Sequence, residues 1–170
     1  MTAKTMVSVL AGLIVLATSH GVAAQSVRLL GDFNAWSAYA ASENGNPVCF
    51  VLSEPTSVEP SPEGYAQGYL YLTHRPSESI RNEFNVVAGV ALAPDSSATV
   101  SVGSTEFDLF TQGDAAWLDD PAQSENLASA IRAGSSLVVE ATTSAGILFR
   151  QTFSLSGATA SSQAINSECS

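Results

Sequence analysis

From Val48 onward, apolar and polar residues alternate with a period of two through most of the chain. That is the mark of strands that bury one face and leave the other half-exposed. Val48, Phe50 and Leu52 share one face of the first such run, with Cys49 and Val51 on the other. Tyr69 and Tyr71 alternate with Leu70 and Leu72, Val100 and Val102 with Thr99 and Ser101, and Phe107 and Leu109 with Glu106 and Asp108. Leu137, Val139 and Ala141 make a further face, and Ile147, Phe149, Phe153 and Leu155 make the last, interrupted by Gln151. Val86 to Leu92 is different, a near-continuous apolar run that predicts a central strand covered on both sides.

Turn signals fall between these runs. Asn44-Gly45 is the strongest short hairpin signal in the sequence, and Ser144-Ala145-Gly146 should turn the last hairpin. Glu54 to Gly68 holds Pro55, Pro60, Pro62, Gly64 and Gly68 and predicts one long polar loop, mobile or contact-making. Two short helices are expected. Asp120 is placed to cap a helix with Pro121 in its first turn, and Gln123 stands where a capping-box partner would. Leu127, Ala130 and Ile131 then repeat at helical spacing, and Gly134 can end the helix in the left-handed region. Ala160, Ala164 and Ile165 mark a weaker helix that would carry Cys169 back toward Cys49. The fold class expected is all-β, an antiparallel β-sandwich or flattened barrel with two short peripheral helices.

The first residues change how the rest is counted. Lys4 supplies a short positive region, Met6 to Ala17 is almost wholly apolar, and Val22-Ala23-Ala24 places small residues at a cleavage site. The apolar run is shorter than the roughly 20 residues a membrane span needs. This is the layout of a secretory signal peptide over residues 1–24, cut between Ala24 and Gln25. The remaining 25–170 suits a single domain, with no second long apolar run and hence no integral membrane segment.

Export agrees with charge and cysteine usage. All sixteen Asp and Glu follow Ala24, against five arginines and no lysine, for a formal charge of −11. Nucleic acid and anionic membrane surfaces are poor partners for such a chain, because both demand clustered cations. The exported region has two cysteines, Cys49 and Cys169, which an oxidising compartment would pair. They are not in the close spacing of a redox motif.

Several segments resemble the invasion-associated locus B family of bacterial exported proteins. They are Phe33-Asn34-Ala35-Trp36, Val48-Cys49-Phe50, Arg75-Pro76 with Arg81-Asn82-Glu83, Gly113-Asp114-Ala115-Ala116-Trp117, and the terminal Cys169. In the first, Phe33 and Trp36 match the family's F-G-D-W, while Asn34 and Ala35 replace its Gly and Asp. Asn tolerates left-handed backbone, so the turn is expected to survive. The resemblance spans the whole exported region. It implies a periplasmic, secreted or surface protein of a Gram-negative bacterium, related to proteins linked to host-cell entry, with no established catalytic activity.

Candidate chemistry is thin. His74 is the only histidine after residue 24, and no nucleophile elbow or zinc set accompanies it. Asp114, Asp119, Asp120 and Glu125 cluster in sequence without an EF-hand pattern. No catalytic residue, metal or cofactor is therefore assigned. Trp36 and Trp117 are expected as core anchors with partnered indole N–H groups. Tyr69 and Tyr71, with Arg75 and Arg81, are the candidate binding surface, since tyrosine is enriched at interfaces. The function expected is a non-enzymatic binding protein of the envelope or a host surface, its partner a protein or other macromolecule. The alternatives are an envelope-polymer hydrolase acting through paired carboxylates and a small-ligand carrier with a hollow interior.

Overall fold

The computed structural model describes residues 26–170. The expected signal peptide and its cleavage site at Ala24 and Gln25 lie outside them. Eleven strands form one antiparallel sheet: β1 (Arg28–Phe33), β2 (Trp36–Glu43), β3 (Asn46–Ser53), β4 (Pro55–Glu59), β5 (Tyr69–Arg75), β6 (Ile80–Val87), β7 (Ser97–Val102), β8 (Thr105–Gln112), β9 (Ala115–Leu118), β10 (Ser136–Thr142) and β11 (Leu148–Ser154). Their spatial order is β1-β2-β3-β5-β6-β9-β8-β7-β10-β11-β4. The sheet curls into a half-barrel, so the flattened-barrel alternative holds and the sandwich does not.

The curl follows from the path of one segment. β3 pairs with β2 and β5, and only Glu54 separates it from β4, which pairs with β11 at the far end of the strand order. One nearly continuous run therefore ties the two ends of the sheet together. This overturns the expectation of a single long loop from Glu54 to Gly68. Pro55 is admissible there because β4 is an edge strand, where one side needs no N–H donor. The rest of the segment is strapped down: the Ala66 N–H donates to the Gly89 carbonyl at 2.7 Å, and the Gly68 N–H to the Tyr65 hydroxyl at 3.1 Å.

The turn at Asn34 completes the closure. Asn34 takes the left-handed backbone expected of it, with φ 56°. The Ala35 N–H donates to the Ser156 carbonyl at 3.1 Å, and the indole N–H of Trp36 to the Ser154 carbonyl at 2.9 Å. Gly157 lies so close that a Cβ there would sit 1.7 Å from the Phe33 carbonyl oxygen. The segment that resembles the family pattern is thus a structural corner, where the start of β2 meets the end of β11.

The inward faces of the strands build one core, including Trp36, Val51, Leu70, Leu72, Phe84 and Phe153. Two helices cover it, α1 (Ser124–Ala133) and α2 (Ala158–Glu168). α1 buries Leu127, Ala128 and Ile131 beside β6, and α2 buries Ala158 and Ile165 against β1, β2 and β3. Side chains fill this interior, which gives a hollow ligand carrier no support. Cys169, just past α2, pairs with Cys49.

Both turn expectations hold. Asn44 and Gly45 have φ of 52° and 83° and join β2 to β3, while Gly146, at φ 81°, turns between β10 and β11. The Asp120 side chain accepts from the Ala122 N–H at 3.0 Å and caps the turn leading into α1. Gln123 makes no capping box; its side-chain oxygen accepts from Asn126 at 2.7 Å. Gly134 is extended, with φ −86°, not left-handed. Glycine is needed there for space, since a Cβ would meet Val102 at 2.5 Å. The apolar run from Val86 to Leu92 is not a doubly covered strand either. β6 stops at Val87, which faces outward, and the chain turns at Gly89, where a Cβ would lie 2.2 Å from the Ala66 carbonyl oxygen.

Candidate functional site

Directly opposed residues in an antiparallel pair point to the same face, so the register reveals what the outward face carries. Tyr39 opposes Phe50, Leu52 opposes Tyr71, Tyr71 opposes Asn85, Asn85 opposes Trp117, and Trp117 opposes Phe110. Tyr69 stands two residues from Tyr71 on the same side of β5. Six aromatic side chains therefore cross five neighbouring strands, β2, β3, β5, β9 and β8, with only Asn85 of β6 interposed. Five are half-buried and Phe110 is 45% exposed.

The rings stand against one another along the sheet. Tyr39 and Phe50 stack with centroids 5.2 Å apart and planes 18° from parallel; Phe110 and Trp117 do the same at 5.6 Å and 18°. Phe50–Tyr71 and Tyr69–Tyr71 are tilted contacts at 6.1 and 6.2 Å. Burial raises the Tyr71 phenol above its ordinary value, and the nearby Tyr69 and Tyr39 phenols add to the shift.

Both tryptophans were expected in the core, and only Trp36 is there, 1% exposed and hydrogen-bonded. Trp117 belongs to the outward row. Its strand gives no warning, because Ala115, Ala116 and Leu118 beside it are apolar on both sides. Phe50, Tyr39 and Phe110 were not singled out as site residues, because alternation alone does not say which face of a strand turns outward. The available signal was the facing set, since Phe107 and Leu109 already supplied β8 with an inward side.

Of the four residues assigned to a binding surface, Tyr69 and Tyr71 share the row. Arg75 borders a groove with Tyr71 and Phe50. Its guanidinium bonds Glu43 and also reaches Glu83 at 3.4 Å. Desolvation opposes the Arg75 charge, but these two carboxylates outweigh it and raise its pKa. Arg81 is elsewhere, in a groove between the sheet and α1 with Ile80, Phe110, Trp117 and Pro121. Among the described residues it is the one arginine without a salt bridge; Glu83 lines the same groove but pairs with Arg75, and Arg81 donates to the Asn166 side-chain oxygen at 3.4 Å.

His74 is 1% exposed and sits on the inward face opposite Cys49. The Asn82 N–H donates to Nδ1 at 3.1 Å, so Nε2 carries the proton and donates to the Asn166 oxygen at 2.9 Å. Burial lowers its pKa below 6.5; the Asn166 bond, the Thr73 backbone and Glu125 pull the other way, while Arg81 reinforces the lowering. This is a ring held in place beneath α2, with both nitrogens engaged.

The acids considered for calcium disperse. Asp120 caps its turn, Glu125 bonds Arg132 at 2.7 Å and Asn82 at 2.6 Å, and Asp114 lies in the turn between β8 and β9. Among the described residues no group of three or more His, Cys, Asp or Glu could hold a metal ion. Glu43 and Glu83 converge on Arg75 rather than opposing each other across a cleft. No described helix is long and apolar enough to cross a membrane.

Comparison with known proteins adds a fold. The crystal structure of invasion associated protein B from Bartonella henselae matches with a TM-score of 0.59 at 13% identity, covering 82% of this chain and 98% of that one. At this identity the likeness is one of architecture. No family model matches the sequence, and no curated protein matches it.

Proposed function

We propose that this chain is an exported, non-enzymatic binding protein of the bacterial envelope or surface, akin to the invasion-associated locus B proteins, and that it binds a macromolecule through the aromatic outward face of its sheet. The observation that carries the reading is the outward row of six aromatic side chains, Tyr39, Phe50, Tyr69, Tyr71, Trp117 and Phe110, interrupted only at Asn85. Aromatic side chains are the compositional mark of interface centres, supplying large area at small entropic cost. All six aromatic side chains project from the outward face, while the inward positions of the same strands build the core without them. The disulfide supports a periplasmic or extracellular location, because such bonds persist in oxidising compartments. The fold likeness to an invasion-associated protein supports the same setting.

The test compares the purified chain with its Tyr71→Ser/Phe110→Ser variant on separately immobilised outer-membrane, peptidoglycan and host-cell-surface fractions. Binding to one fraction, lost in the variant while the thermal midpoint is nearly kept, supports the proposal. Binding that survives the double substitution removes the aromatic face from it. Antibody labelling of intact against permeabilised cells would then separate surface from periplasm.

A further inference from the structure

The two ends of the aromatic row differ in their charged surroundings. At the β2–β5 end, Glu43 and Glu83 are matched by Arg75. At the β8–β9 end, Phe110 shares a shallow groove with Asp95, Asp108 and Asp119. All three aspartates are exposed, and none has a salt bridge or a side-chain hydrogen bond among the described residues. They come from separate places, the turn before β7, the outward side of β8 and the end of β9, and the fold gathers them beside the most exposed ring of the row. Four of the five arginines are committed to carboxylates elsewhere. Arg81 is the cation nearby, and it lies across Trp117, on the α1 side of the ring pair.

Resting on the reading of the outward face as a contact surface, we propose that its Phe110–Trp117 end docks a basic segment of a partner protein, with an arginine or lysine against the face of Phe110 turned from Trp117 and Asp95, Asp108 and Asp119 as counter-charges. A cation over the face of an aromatic ring gains from the ring quadrupole, and more when carboxylates are also within reach. The ring pair supplies the apolar contact that a merely acidic surface lacks. Arg81 gives the site polarity: it repels a second cation on its side and so orients the incoming segment, positive groups toward β7 and β8.

The experiment measures binding of a fluorescently labelled (Gly-Arg)4 peptide to the purified full chain at 150 mM salt, with (Gly-Glu)4 as the opposite-charge probe. At that salt, charges more than about 8 Å apart are largely screened, so long-range attraction to an acidic protein is suppressed. The basic peptide should bind and the acidic one should not. Phe110→Ser should weaken binding about tenfold, the range of a desolvated cation–π contact. Asp108→Asn with Asp119→Asn should weaken it about fivefold, as expected for two partly exposed charge pairs. Glu54→Gln with Glu63→Gln removes the same charge at two exposed sites outside the groove of Asp95, Asp108 and Asp119, and should leave binding within about twofold.

If both carboxylate pairs weaken binding equally and Phe110→Ser does nothing, the attraction is general acidity and the site is wrong. If the basic peptide fails to bind, the inference is overturned. Self-association or glycan binding that Phe110→Ser abolishes would overturn it too, yet leave the aromatic face as a contact surface. Loss of every effect of the Tyr71→Ser/Phe110→Ser variant on envelope and host fractions would instead remove the broader reading.

Discussion

Trp36 and Trp117 lie on opposite faces of the same sheet. Trp36 is 1% exposed, its indole N–H donates to Ser154, and it sits where the two ends of the sheet meet. Trp117 is half-buried, stacked on an exposed Phe110, and lines a surface groove. The inner face is a closed set of mutual contacts in which each large side chain holds the curl together. The outer face carries a comparable aromatic load without closing anything. Burial of an aromatic residue is thus no measure of its purpose; what it encloses is.

The sharpest way to break this comparison is to truncate both tryptophans. Trp36→Ala should cost about 4 kcal/mol, the range for deleting a large buried aromatic, including the orphaned Ser154 carbonyl. Trp117→Ala should cost about 1 kcal/mol, since only part of its surface leaves water. Urea unfolding of the purified chain reads both. Equal losses would mean the outward row is part of the core in energetic terms.

The disulfide belongs to the inner face, and its removal is the next largest effect. Cys49 and Cys169 are 120 residues apart, so the bond restrains most of the unfolded chain. Cys49→Ser with Cys169→Ser should lose about 3 kcal/mol, within the usual range for such bonds. The outward ring stacks should be indifferent, and near-ultraviolet circular dichroism of the folded double variant should keep its aromatic bands. Loss of those bands in a still-folded protein would show that α2 supports the outer row through the sheet.

The strands, the Asn44-Gly45 hairpin and both helices were legible in the sequence because each rests on local chemistry. Period-two alternation, an Asn-Gly pair and a capping aspartate speak within a few residues, and the cysteine pair, 120 residues apart, followed from there being only two cysteines in the region expected to be exported. The failures share a different cause. Which side of β9 faces inward depends on β6 and β8, because Trp117 is flanked by apolar residues that fit either side. β4 hid behind its proline, which an edge strand tolerates and a central one would not. Gly134 reads as a helix terminator, but its place is set by Val102 and Leu155, far away in sequence. The site suffered the same loss: Tyr69, Tyr71 and Arg75 were found together, Arg81 proved to border a separate groove, and Phe110 was not singled out.

Two glycines sharpen the contrast between closure and open surface at a smaller scale. Gly157 and Gly146 both have positive φ, 98° and 81°. A Cβ at Gly157 would overlap the Phe33 carbonyl oxygen in the corner, whereas at Gly146 nothing lies within 4 Å. Gly146→Ala should cost about 1 kcal/mol for backbone strain alone. Gly157→Ala should cost at least about 2 kcal/mol, because the corner must also open. Equal costs in urea unfolding would mean that the Phe33–Trp36 corner yields freely and does not hold the sheet closed.

The smallest effect concerns pH, and it separates the faces by a proton. His74 is buried on the inner face and its pKa is lowered from 6.5. Below about pH 6.5 the unfolded chain takes up a proton that the folded one refuses, since Nδ1 is occupied by the Asn82 N–H and burial penalises the charge. Stability is therefore fully present above pH 6.5 and falls as pH drops through that value toward the lower folded-state pKa. One proton limits the slope to about 1.4 kcal/mol per pH unit. Comparing urea midpoints at pH 7.5 and 5.5 stays above the ordinary range of the carboxylates and isolates this group. His74→Gln keeps an N–H donor and an acceptor of similar reach but cannot titrate, so its stability should be flat between the two pH values, at a small loss at pH 7.5. A decline in His74→Gln as steep as in the parent would place the acid sensitivity in the carboxylate-rich outer surface, and the inner face would then be no more exposed to pH than its apolar lining suggests.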